Sequence, residues 1–179
     1  MFNKIKNKTK GFTLIELLIV IGIISILAGI VLVAVNPAEQ FGKANDTERK
    51  SEMSMVLSAV YQYQTSPSAR GDLPEGTVNS VDTPIPLCGT AYAGALELGT
   101  AATSLDMSGE LVPSYINEMP IDPDSDATAT GYWICKITNA TTDVSKVYII
   151  SENAQVFTDD GGCSTPGDAA TDATMCISG

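Results

Sequence analysis

Between Phe12 and Val35 the chain runs for 24 residues with Glu16 as its only charged side chain. A helix of about 20 apolar residues crosses the hydrocarbon core of a bilayer, so this run reads as a membrane span. Lys4, Lys6, Lys8 and Lys10 precede it, and a basic flank stays on the cytoplasmic side. Everything after Val35 is then expected outside. A cleaved secretory signal needs a shorter apolar core followed by an A-x-A-like site. The core here is too long, and no such site occurs between Val31 and Asn45. A plain anchor explains the lysines and the apolar run. It does not explain Gly11 at the boundary or a carboxylate just inside.

Those residues carry a resemblance. The stretch KGFTLIELLIVIGIISILAGI resembles the N-terminus of type IV pilins and of the pseudopilins of type II secretion. The matching features are a short basic leader, Gly11, Phe12, Glu16 and an uninterrupted apolar helix. The resemblance implies that a prepilin peptidase cuts between Gly11 and Phe12 and N-methylates Phe12. Residues 1–11 are then a leader, and 12–35 are retained as the transmembrane and filament-core helix.

Glu16 needs an account of its own. Ionisable residues inside membrane helices are costly and usually functional. Cleavage after Gly11 creates an amine on Phe12 at the same end of the helix. In a water-free bundle of helices an unpaired charge is costly, so Glu16 of one subunit is expected to pair with the Phe12 amine of a neighbour. The resemblance implies the same assembly role. The alternative leaves Glu16 near the headgroups, complementing the positive N-terminus of its own helix. Gly22, Ser25 and Gly29 fall near one helical face, where helices approach closely.

Asn36-Pro37 follows the span. Proline removes a ladder bond and disfavours helical geometry in the residue before it. The next stretch is helix-friendly nonetheless. Met53, Val56, Leu57, Val60 and Gln64 form a stripe at helical spacing, and Asp46, Glu48, Arg49, Lys50 and Glu52 are expected to solvate the N-terminal part. One long helix from about Phe12 to Gln64 results, on the order of 75 Å long. It is expected to kink or open near Asn36, Pro37 and Gly42. Residues 36–64 are its amphipathic continuation, and 65–179 form an exported globular domain.

In that domain, residues 65–103 read as an irregular connection anchored by Leu73, Val78, Val81, Ile85 and Leu87. A short helix is expected before Pro113. Gly131–Thr138 and Val144–Ser151 read as a β-hairpin, with Ala154–Thr158 as a third strand. Three antiparallel strands over the helix stripe give an α+β, pilin-like fold. The segment LVPSYINEMPIDP…GYW also resembles the part that precedes the final hairpin in many pilins. Trp133 reads as core. The tail from Asp159 has little to bury.

Four cysteines, Cys88, Cys135, Cys163 and Cys176, show no CxxC spacing, so a zinc ribbon is absent. An exported domain favours disulfides. The expected pairs are Cys163–Cys176, closing the tail, and Cys88–Cys135, tying the connection to the first hairpin strand. Asp122, Asp124 and Asp126 alternate like the first ligands of a calcium loop. Ala127 then stands where that loop needs glycine, and Trp133 where it needs glutamate. Calcium is the one cofactor these residues suggest, against the reading of a solvated acidic turn.

The chain has no histidine, which removes Ser-His-Asp, Cys-His and HExxH chemistry. No catalytic activity is expected. From Ser66 onward three basic residues face sixteen acidic ones, so the net field of the domain disfavours nucleic acid. The expected function is a structural prepilin subunit of a type IV pilus-like surface filament. It is held in the inner membrane by a single pass, processed by prepilin peptidase and assembled by a pilus or secretion machine into a homo-oligomeric extracellular or periplasmic filament. The alternatives are a type II secretion pseudopilin and a non-polymerising anchored binding protein.

Overall fold

The computed structural model describes residues 11–89, 92–126, 128–139, 145–154 and 175–178. The chain divides into two compact units between Gln40 and Phe41. In the first, helix α1 spans Leu14–Val35 and buries none of its residues. Isoleucine and valine are indifferent helix formers in water. In lipid every backbone polar group must be satisfied within the segment, which makes the helix obligatory. Helix α2 spans Pro37–Gln64.

The two helices are separated by Asn36, which sits at φ 43° in the left-handed region. Asparagine tolerates that region better than other residues with a side chain. Pro37 then opens α2 at the position where a missing N–H costs nothing. The Asn36 carbonyl accepts from the amides of Glu39 (3.1 Å) and Gln40 (3.3 Å). The single long helix expected from the sequence is therefore two helices. The interruption is confined to Asn36, because Gly42 lies inside α2 and is buried.

The second unit is built on the buried face of α2. Met53, Val56, Ala59 and Val60 are fully buried, each larger side chain stabilising by about 1.5–3 kcal/mol. They pack beneath a four-stranded antiparallel sheet, β3 (Leu96–Glu97), β4 (Tyr132–Thr138), β5 (Ser145–Ser151) and β6 (Met175–Ser178), in that spatial order. The period of two sorts the side chains. Tyr132, Ile134, Val147, Ile149 and Met175 join the α2 core, whereas Cys135, Tyr148, Ile150 and Cys176 form a second cluster. Trp133 and Ile137 pack partly buried against that second cluster.

The expected hairpin is present, with Ile134 opposite Ile149 and Cys135 opposite Tyr148. The expected third strand is not found as drawn. Ala154 is in no strand, and residues 155–158 lie outside the described residues. The strand beside β5 is Met175–Ser178, from the tail that promised little burial. Its alternation explains the gain: Met175 and Ile177 face the α2 core and Cys176 the second cluster.

Two further elements lie in the connection. β1 (Glu75–Val78) and β2 (Val81–Pro84) pair antiparallel around Asn79-Ser80, whose φ values of 50° and 64° fit a two-residue hairpin turn. This corrects the irregular reading of residues 65–103. Of the expected anchors, Ile85 is buried and Leu73 and Val78 pack against the core, but Val81 and Leu87 are exposed. Helix α3 is one turn, Ser108–Leu111, and buries Leu111.

Candidate functional site

The N-terminal site begins at Gly11 and Phe12, both exposed ahead of α1. Phe12 shows 89% of its surface. Thr13 caps the helix. Its hydroxyl accepts from the Glu16 amide (3.3 Å), and the Glu16 carboxylate accepts from the Thr13 amide and hydroxyl, both at 2.8 Å. This is a complete capping box, which satisfies helix-terminal donors reciprocally. In the single chain, Glu16 is thus occupied by its own helix terminus. This geometry matches the alternative in which Glu16 complements its own helix terminus, and the Thr-x-x-Glu spacing that specifies the box was legible in the sequence but not used.

Along α1, Ser25 returns its hydroxyl to the Ile21 carbonyl (2.7 Å). A Cβ added at Gly11, Gly22 or Gly29 meets nothing within 4 Å. No contact within the chain requires these glycines. α1 is long and apolar enough to cross a membrane.

In the second unit, charges expected in solvent are instead buried. Asp46 and Arg49 are both fully buried, which corrects the solvated reading of that part of α2. The Arg49 guanidinium donates through Nε to Asp122 Oδ2 (2.8 Å) and through Nη2 to Asp122 Oδ1 (3.0 Å). Nη1 reaches Asp46 (2.8 Å), and Nη2 also reaches Asp124 (2.6 Å). Ser151 donates to Asp122 as well (3.1 Å). Burial opposes the Arg49 charge, yet its hydrogen bonds to the Asp122 and Asp46 carboxylates outweigh it and hold the guanidinium firmly protonated. Burial likewise opposes the Asp122 charge, but Arg49 and the Asp124 amide carry its carboxyl below the usual range.

Tyr132 donates its hydroxyl to Glu52 beside this cluster. Burial pushes the Glu52 carboxyl up, against the Tyr132 hydrogen bond, with Glu48 and Asp122 adding repulsion. Gly131, at φ 78°, closes the site from the strand side. A Cβ there would lie 2.8 Å from Asp122 Cβ.

This geometry does not fit a calcium site. Asp122 and Asp124 are turned onto Arg49, and Asp126 accepts from the amides of Thr128 (2.8 Å) and Ala129 (3.2 Å) and from the Thr128 hydroxyl. Among the described residues no group of three or more acidic or cysteine side chains is placed to hold a metal ion.

A disulfide joins Cys88 to Cys135, linking the connection to β4 as expected. Cys176 is also disulfide-bonded. Cys163, its expected partner, lies outside the described residues. Trp133 is half-buried on the second cluster rather than in the α2 core.

No curated protein and no solved structure matches this chain. One family does, and it matches where the span, its basic flank and its capped first turn lie. Over residues 6–32 the chain carries the prokaryotic N-terminal methylation motif, the prepilin signature of type IV pilins and pseudopilins.

Proposed function

We propose that the chain is the precursor of a structural subunit of a type IV pilus-like surface filament. The observation that carries this reading is the methylation motif at residues 6–32, set on a 22-residue apolar helix that buries nothing within its own chain. Such a surface needs lipid or other helices. The subunit waits in the inner membrane with its N-terminus cytoplasmic. Prepilin peptidase cuts between Gly11 and Phe12 and methylates the new amine. An assembly machine then moves the helix from lipid into a bundle of identical helices. The motif marks a structural family rather than an enzyme family, and the subunit acts by assembling.

A pilus is preferred over a secretion pseudopilus because resemblance to secretion pseudopilins implies a calcium-binding acidic turn, and here Asp122 and Asp124 are taken up by Arg49. Intact mass of the membrane-bound and sheared forms tests the reading. The expected mature chain starts at N-methylated Phe12. A chain that retains Lys4–Lys10, or one that starts after Val35, overturns it. Antibody-gold labelling of the cell surface separates the finer roles. Label along filaments supports a pilus, and label confined to the envelope supports an anchored monomer.

A further inference from the structure

On the face of the sheet away from α2 lies a cavity of about 270 Å³ lined by Tyr92, Gly94, Trp133, Ile150 and Glu152, among others. One wall is formed by residues 92–95. Tyr92 stands at φ 56° and Gly94 at φ 96°. Gly89 N–H donates to the Ala93 carbonyl (2.7 Å) and Ala95 N–H to the Tyr92 carbonyl (2.9 Å). A left-handed backbone is costly for a bulky residue such as tyrosine, and such positions cluster at functional sites. The Cys88–Cys135 disulfide and the Cys88 amide on the Lys136 carbonyl (2.9 Å) fix the neighbouring Cys88 to β4.

The chemistry of the lining is specific. Glu152 is the only charged residue in it among the described residues. Neither the Glu152 carboxylate nor the Trp133 indole N–H has a partner among the described residues. Tyr92 and Trp133 line the same cavity as that carboxylate, in a domain with sixteen acidic and three basic residues after Ser66. The same sheet face already accommodates one ammonium group: Lys146 Nζ lies 5.7 Å from the centre of the Tyr148 ring, which in turn lies 6.4 Å from Tyr92. Aromatic faces attract cations, and a carboxylate beside them adds charge and a hydrogen-bond acceptor.

We propose that this pocket binds an organic ammonium group, supplied either by a lysine side chain of a basic partner or by a free amine. Trp133 is the only tryptophan of the chain, so its fluorescence reports the pocket directly. The experiment titrates the full chain, in a non-ionic detergent, with butylammonium, N-acetyl-lysinamide, glucose and sodium chloride at matched ionic strength. The expected result is a saturable fluorescence change with the two ammonium probes alone. Glu152→Gln, a conservative change at an exposed site, should weaken it about tenfold, and Glu152→Lys should abolish it. Tighter binding of N-acetyl-lysinamide assigns the site to a protein-borne lysine, and tighter binding of butylammonium assigns it to free amines. An equal response to sodium chloride, a saturable response to glucose, or unweakened binding by Glu152→Gln overturns the proposal.

Discussion

Arg49 sets one positive charge against the carboxylates of Asp46, Asp122 and Asp124. Removing one partner of a buried ion pair costs about 3–5 kcal/mol, because the remaining charges stay desolvated. Arg49→Met is therefore expected to destabilise the detergent-solubilised protein by about that amount in urea unfolding. Arg49→Met combined with Asp122→Leu should cost less than Arg49→Met alone, since no orphan charge remains at Asp122. A double variant less stable than the single one contradicts this account. The pH dependence has two parts of opposite sign. Asp122 has a folded pKa below its ordinary value, so its stabilisation is complete above that value and vanishes as pH falls through the folded one. Glu52 is raised, so the folded chain takes up its proton first and falling pH through that raised value stabilises. Unfolding free energy should thus rise as pH falls through the raised Glu52 value, then drop as it falls below the ordinary aspartate value of about 4. Glu52→Gln should abolish the rise, and Asp122→Asn should reduce the drop. None of this was legible in the sequence. Asp46 and Arg49 resemble any charged pair on a solvated helix face, and the partner that buries them lies 73 residues away.

At the scale of elements, the readable pieces were those whose local pattern and tertiary environment agree. β4 and β5 are β-branched and aromatic, and α2 carries an apolar stripe, so each was placed to within a residue or so. The β1–β2 hairpin was not readable. Its strands are four residues each, and its turn is Asn-Ser rather than the stronger Asn-Gly signal. Gly76 in β1 looks like a breaker but serves close packing, since a Cβ there would meet Leu105 at 2.8 Å. β6 was hidden for a different reason: four residues become a strand only because β5 offers an edge. The segment between β2 and β4 makes few strand pairs, through β3 and through Leu87 beside Lys136, and the Cys88–Cys135 bridge adds a covalent tie to the sheet. That bridge spans 47 residues, for which loop closure predicts a stabilisation of about 4 kcal/mol. Replacing Cys88 and Cys135 together by serine is expected to lower the unfolding free energy by up to that amount. It should also speed hydrogen exchange at the amides of Cys88 and Lys136, which bridge the same two segments. Unchanged exchange there would mean that the ladder alone holds the loop.

For the molecule as a whole, the two units pose opposite problems. The second buries its own apolar core, whereas α1 leaves residues such as Leu14 and Val33 more than four-fifths exposed. Only lipid or other helices can cover that surface, which is why the N-terminal 35 residues are so informative and the acidic domain so little. Under the proposed function, Glu16 is the residue that would turn covering into ordering. In the single chain its carboxylate is held by Thr13, so pairing with a neighbour's Phe12 amine must replace or share those bonds. Two substitutions separate the cap from the charge. Glutamine is competent in a capping box but carries no charge, while alanine removes both. If the charge orders the filament, Glu16→Gln and Glu16→Ala should both insert and be cleaved, yet both should lose most of the sheared filament. If the cap is what matters, Glu16→Gln should assemble normally and only Glu16→Ala should fail. Thr13→Ala completes the test, because it weakens the cap and leaves the carboxylate in place. The charge account requires it to retain filaments. Mass spectrometry of the membrane fraction, paired with microscopy of sheared material, reads all three variants. Normal filament yield from Glu16→Gln would reduce Glu16 to the cap of its own helix.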